Sequence, residues 1–312
     1  MNYIIFDMEW NQPVVKELVV KKPIYLIGEI IQIGAVKLIK NNSEFKVVST
    51  FKQTIKPQYY KKMNSAVKRI TNLSNKDLQK GNPFKRAIED FKEFCGINNN
   101  ESVCFITWGF DDIPMLKDNL ALHNCDESWI KNEYNLQVTF NAQVTGETNQ
   151  YSLEKAMEQL NITSDKIAHD ALNDAIFTTK VFNMLNMEIG FAQYEQNLKF
   201  MQNTLDAQVT ELFGFNGFKD ATDSEKIKLF ICPDCNKKIK SKEIISCGTD
   251  RKITMVDCPN CGDFFVKMKI KMERDMTYSI RRILKKADDE KRDYYNKRLK
   301  KHNEFIKKQK SN

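Results

Sequence analysis

The chain has no uninterrupted apolar stretch near the ~20 residues a membrane helix requires, which argues against a helical membrane protein. Its N-terminus lacks the basic-then-apolar layout of a secretory leader and runs straight into strand-like sequence. Cytoplasmic residence is the resulting expectation. No internal repeat is present. The 8 cysteines among 312 residues do not form the spread framework of a secreted disulfide protein. Cys95, Cys104 and Cys125 are scattered in apolar or helical surroundings and read as buried free thiols. The other five, Cys232, Cys235, Cys247, Cys258 and Cys261, crowd into one short segment, as metal-site cysteines do in a reducing compartment. Net positive charge is also missing from most of the chain. Residues 267–312 hold 17 Lys and Arg against 7 Asp and Glu, so of the net +8 the first 266 residues carry −2.

What is present is globular: 41% hydrophobic and 11% aromatic residues, enough chain for a sizeable core, and a length that suggests about two domains. Strand signals come first, at Tyr3–Trp10, Ile30–Ile39 and Phe45–Ile55, the last two joined by a turn at Lys40-Asn-Asn-Ser43. Helical sequence follows over Ser65–Ile70, and Ser74 with Asp77 forms a capping signal. The spacing of Phe84, Ala87, Ile88, Phe91 and Phe94 predicts an amphipathic helix. Val103–Thr107 is a short buried strand and Ile113–His123 a helix. Asn135–Phe140 reads as a further strand, Ser152–Leu160 as a helix capped by Ser152, and Ala171–Leu185 as the clearest helix of the chain. Strands in a run, then strand and helix alternating, imply an α/β domain with a mixed sheet covered by helices, ending near residue 190.

Asp7 and Glu9 lie on the first strand. Alternate strand residues point the same way, so the two carboxylates share a face about 7 Å apart. Burying unpaired charge costs several kcal/mol, and hard divalent cations such as magnesium or manganese are the usual compensation for clustered carboxylates. Asp112 follows Trp108-Gly109-Phe110-Asp111 at a strand-to-helix junction, where ligands tend to bind. His169-Asp-Ala-Leu-Asn-Asp174 opens the strong helix. Asp111 beside Asp112 and Asp170 near Asp174 are close alternatives.

Asp-x-Glu on the first strand, Trp-Gly-x-x-Asp in the middle and His-x(4)-Asp on a late helix resemble the DEDDh 3′-to-5′ exonucleases, specifically the group that trims RNA 3′ ends; Met8-Glu9-Trp10-Asn11 resembles a bacterial branch of it. The resemblance covers about residues 1–190 and implies a ribonuclease H-like mixed sheet flanked by helices. It also implies two Mg²⁺ or Mn²⁺ ions held by Asp7, Glu9, Asp112 and Asp174, with Asp7 bridging them, and nucleoside 5′-monophosphates as products. Two such ions suit an in-line displacement at phosphorus. His169 would be the general base, since an imidazole ordinarily titrates near neutrality. Met8 and Trp10 would help hold the terminal nucleotide, Trp10 by stacking on its base.

Cys232-Pro-Asp-Cys235 and Cys258-Pro-Asn-Cys261 form two Cys-x-x-Cys knuckles that together suit tetrahedral zinc. Lys252–Asp257 between them fits a ribbon strand, and Cys247 reads as packing. Residues 191–225 read as a connector, 226–269 as a zinc ribbon, and 270–312 as a basic helical tail. Arg281-Arg282, Lys285-Lys286, Lys300-Lys301 and Lys307-Lys308 in that tail suit phosphate backbones. The expectation is a cytoplasmic exonuclease acting on RNA or DNA 3′ ends, with RNA preferred. A DNA-directed proofreading-type exonuclease and a non-catalytic zinc-ribbon adaptor are the rivals.

Overall fold

The computed structural model describes every residue except 16–17, 43, 72, 164–167, 203 and 311–312, and no side chain beyond Lys307. Ser43 of the expected turn and the side chain of Lys308 of the expected basic pair thus lie outside it. The chain divides into two compact units, Met1–Met201 and Gln202–Asn312.

The first unit opens with three antiparallel strands, β1 (Asn2–Asn11), β2 (Glu29–Asn41) and β3 (Glu44–Thr54). Short helices α1 (Ser65–Thr71) and α2 (Asn75–Lys80) lead to α3 (Phe84–Cys95). The Ser74–Asp77 capping box forms at α2 as the sequence predicts. Then come β4 (Val103–Thr107), α4 (Asp112–Leu122), β5 (Asn132–Asn135), α5 (Leu136–Phe140), α6 (Leu153–Gln159), α7 (Ala171–Met184), α8 (Met187–Ala192) and α9 (Tyr194–Met201). The five strands form a mixed sheet in the order β3-β2-β1-β4-β5, with β4 and β5 parallel to β1.

The central strand β1 divides the core. Ile4, Phe6 and Met8 pack with Phe105 against α3 and α4 on one face. Ile5 packs with Val36 and Ile106 against α7 on the other. Each fully buried Phe or Ile contributes roughly 1.5–3 kcal/mol. Asn135–Phe140 is a strand end followed by a helix, not a strand. The Asn135 side chain accepts the Gln137 N–H as an N-cap, and all five helical residues are buried, which hides any amphipathic period. The unit also runs past 190, because Phe191 and Tyr194 pack into the α7 face.

The second unit contains β6 (Ala207–Phe215), α10 (Phe218–Asp223), β7 (Leu229–Ile231), β8 (Lys238–Lys240), β9 (Ile245–Ser246), β10 (Arg251–Cys258), β11 (Gly262–Met272), β12 (Tyr278–Lys286) and α11 (Asp289–Lys310). An antiparallel sheet runs β6-β12-β11-β10-β9, and β7 pairs with β8. Two expectations change. Residues 191–225 are no connector: they divide between the last helices of the first unit and the edge strand and helix of the second. The tail is helical only from Asp289, because Tyr278–Lys286 is a strand paired on both sides. Ile280, Ile283 and Leu284 stand at i, i+3 and i+4 and so imitate a helical stripe. The antiparallel partners β11 and β6 override that local signal. Arg282, 7% exposed, is buried in this unit. Its guanidinium donates to the Leu229 carbonyl at 2.7 Å and the Thr210 hydroxyl at 3.0 Å, and lies 4.5 Å over the Phe230 ring.

Candidate active site and thiol cluster

Asp7 and Glu9 project from the β1 face that α7 covers. What allows α7 so close is the neighbouring strand. Asp7 pairs with Gly34 and Glu9 with Gln32. A Cβ at Gly34 would stand 2.0 Å from the Leu172 nitrogen and 2.1 Å from the Ala171 carbonyl carbon, so any side chain there would push the helix start away. Gln32, buried beside it, accepts the Ala171 N–H at 2.9 Å and so holds the first turn of α7 onto the sheet. Asp174 in that turn thereby comes to Glu9, and one ligand atom from each of Glu9, His169 and Asp174 lies within 4.8 Å of the others.

His169 precedes the helix with φ +63°, a left-handed conformation uncommon outside glycine. Its N–H donates to the Asp174 carboxylate at 2.9 Å, which ties the two residues together, while its side chain is exposed. Such held outliers cluster at functional sites. Asp112 enters from the third side. It is the first residue of α4, is 5% exposed, and accepts the Met8 N–H at 3.2 Å. Asp111 beside it is exposed. Asp170 caps α7 through the Asn173 N–H and is ion-paired to Lys52.

The carboxylates repel one another. Burial first, then Asp112, Asp174 and Glu9, push the Asp7 carboxyl well above its ordinary range. Glu9 is raised to about 8 by burial and then by Asp174 and Asp112. Burial raises Asp112 to about 7, against the Met8 N–H, and raises Asp174 to about 6. Acids collected in this way suit divalent cations, which would lower all these values together. Of the two residues expected to hold a nucleotide, Trp10 is partly buried at the margin of the α3–α4 core. A Cβ at Gly28 would stand 2.5 Å from its ring, so the indole lies on the bare backbone there. The Met8 side chain is 3% exposed within the core; what reaches the site from Met8 is its backbone N–H. Sequence reasoning missed Gln32 and Gly34. A glycine and a glutamine amid the apolar run Ile30–Ile39 were the available signal.

In the second unit Cys232 and Cys235 lie between β7 and β8, Cys258 ends β10, and Cys261 directly precedes β11. One sulfur from each of the four stands within 4.8 Å of the rest. The Cys235 and Cys258 sulfurs are 3.6 Å apart, near the ~3.8 Å edge of a tetrahedron with 2.3 Å Zn–S bonds. All are free thiols. The two knuckles share a backbone device: the residue after each second cysteine, Asn236 (φ +58°) or Gly262 (φ +82°), is left-handed. Burial opposes ionisation of Cys258, yet the Asn260 N–H and the Cys235 thiol bring it down to about 7. Cys247 packs beside Ile245, Ile253 and Tyr295.

The Exonuclease family model, RNase_T, matches residues 6–182, a span that includes all five candidate catalytic side chains. The chain belongs to the exonuclease family and is a nuclease. Over 185 residues it is 25% identical to the probable 3′-5′ exonuclease KapD of Bacillus subtilis (strain 168), spanning 59% of this chain and 84% of that protein. The nuclease domain of 3′hExo, a DEDDh family member bound to rAMP, aligns with a TM-score of 0.51 at 17% identity, over 59% of this chain and 90% of that one. A 3′-exonuclease solved in 3′-end-specific recognition of a histone mRNA stem-loop aligns at 0.50 and 15% identity, over 59% and 80%. These likenesses establish the ribonuclease H-like fold. Among the described residues, no helix is long and apolar enough to cross a membrane.

Proposed function

We propose that the protein removes nucleoside 5′-monophosphates from the 3′ ends of single-stranded nucleic acid, preferentially RNA. The observation that carries this reading is the convergence of Asp7, Glu9, Asp112 and Asp174 from β1, α4 and α7, each carboxyl raised above its ordinary range, beside an exposed His169. Asp7, Glu9, Asp112 and Asp174 would hold two Mg²⁺ or Mn²⁺ ions. Bound there, the ions would neutralise the acids, grip the scissile phosphate and polarise the attacking water. His169 accepts the proton of that water as its oxygen bonds to phosphorus and the bond to the leaving 3′ oxygen breaks. The Asp174 carboxylate, bonded to the His169 backbone, keeps the imidazole over the site. Trp10 stacks on the terminal base. RNA is preferred because 3′hExo and the histone-mRNA 3′-exonuclease were solved with RNA or its nucleotide.

Cys232, Cys235, Cys258 and Cys261 would hold a structural Zn²⁺, supported by the sulfur spacing and the twin turns. Free thiols throughout the described chain favour a reducing compartment, the cytoplasm. The test is digestion of 5′-labelled RNA and DNA oligonucleotides with Mg²⁺ or Mn²⁺, beside Asp7→Ala. A ladder shortening from the 3′ end, faster on RNA and lost in the variant, is expected. Intact oligonucleotides, or equal cutting by Asp7→Ala, would sink the reading.

A further inference from the structure

The second unit carries 26 Lys and Arg against 17 Asp and Glu, while the first is within one charge of neutral. Much of this excess lies on one sheet face. Directly paired residues of an antiparallel sheet share a face, so Arg251 of β10, Lys269 of β11, Arg281 of β12 and Glu211 of β6 form one row. Lys267, Ile283 and Val209 form the next, and Lys285 begins a third. The opposite face is the core of the unit, built on Val266, Met268, Ile280 and Leu284. Helix α11 covers only the β9–β10 end, where Tyr295 and Leu299 pack on Ile253, Met255 and Phe265. On β11 and β6 the face is open, with Lys267 and Lys269 exposed, Val209 38% exposed and Phe213 63%, while Arg281, Ile283 and Lys285 of β12 are half-buried.

Among the described residues Arg251, Lys267 and Lys269 have no ion-pair partner. The Arg281 Nε is buried without a hydrogen bond, its Nη2 donating to Gln202. Burial, then the nearby Lys291 and Lys267, hold the Lys285 ammonium below its ordinary range, with Asp206 opposing. Glu211 is the single acid in the rows. Like charges gathered on an open surface call for a polyanion, and alternate residues of one strand set Lys267 and Lys269 side by side to meet successive phosphates. The exposed Phe213 ring on the edge strand β6 offers the stacking platform that single-stranded sites combine with such cations.

We propose that this face of β11, β12 and β6 binds single-stranded nucleic acid through its phosphate backbone, with Lys267, Lys269 and Arg281 as the main contacts. The choice of polyanion rests on the nuclease reading, so binding is measured without hydrolysis. The full-length Asp7→Ala protein is titrated into fluorescein-labelled 20-mers of uridylate and thymidylate across a salt series, followed by anisotropy. Lys267→Gln/Lys269→Gln should weaken both by about tenfold or more and lower the log–log salt slope by about 1.4, at ~0.7 per lost phosphate contact. Phe213→Ala should weaken binding about fivefold. Lys238→Gln/Lys240→Gln on β8, with the same change in charge, should stay within twofold. An unchanged affinity and slope, or equal losses in both lysine pairs, overturns the proposal. So does equal, Lys267-dependent binding of anionic phospholipid vesicles or polyglutamate. Cleavage of a dinucleotide with Mg²⁺ by the chain with Asp7 intact tests the nuclease reading alone; it should keep its rate in all the surface variants.

Discussion

In the first unit four carboxylates are pressed together on a sheet whose two faces already bury large cores. In the second, four thiols meet where the strands β7 and β8 are only three residues long. Both arrangements suit cations, but for different reasons. The acids are a cost that a well-packed fold carries, and removing metal should leave that fold standing. The thiols join the turn between the short strands β7 and β8 to the long β10–β11 hairpin, so zinc would supply folding energy chiefly on the β7–β8 side. The comparison teaches that, on the proposed reading, a metal site would relieve an electrostatic burden in one unit of the chain and act as a structural cross-link in the other.

The largest expected effect breaks function without breaking the fold. Asp7→Asn should lower 3′-end hydrolysis by ~10³-fold or more, while the melting temperature of the metal-free protein holds or rises, since a repelled buried acid has gone. A fall of several degrees in calorimetry would mean that Asp7 is structural. Cys258→Ser should do the reverse: zinc content falls to zero and the second unit loses its own thermal transition, yet dinucleotide cleavage persists. Retained zinc by mass spectrometry would refute the four-thiol site.

Gly34→Ala sharpens the comparison at the first site. Forcing α7 away from β2 should cost about 1–3 kcal/mol by urea denaturation and reduce the rate about 10²-fold by displacing Asp174. A rate effect without a stability effect would argue against the packing account.

A subtler effect is the pH dependence of the metal-free protein. Glu9, Asp112 and Asp174 are raised in the fold to about 8, 7 and 6, whereas in the unfolded chain such groups titrate near about 4. Between those limits the native state binds more protons, so stability falls as pH rises from about 4 to about 8. Mg²⁺ should offset the loss most at the alkaline end, and activity at fixed Mg²⁺ should climb over the same window as protons leave the ligands. A metal-free stability that rises with pH would contradict the mutual repulsion of these acids. Smallest is Lys52→Ala, which removes the partly exposed pair to Asp170 and should cost no more than ~1 kcal/mol.

The legible elements were those with a local cause. The apolar runs of β1 and β2, the Ser74 and Ser152 caps, and the Phe84–Phe94 stripe all form at their expected places. The thiol knuckles were legible for the same reason, each being a four-residue turn. Less legible were β12, whose Ile280, Ile283 and Leu284 mimic a helix, and α5, whose burial on all sides erases its period. The strand character of β6 was missed because it pairs only with β12, more than sixty residues later in the chain.

The sequence by itself determined the residue types of the acid–histidine site and their order along the chain, because metal and proton chemistry demand particular side chains. It also determined the cysteine pairs, because a tight turn is a local event. Only the tertiary structure decided that Asp112, rather than Asp111, is the buried acid beside Met8. Only it showed that Gly34 and Gln32 seat the helix carrying Asp174, and that the C-terminal cations spread across a sheet. Each of these depends on contacts between residues far apart in the chain, and close approach of backbones is invisible until both partners are in place.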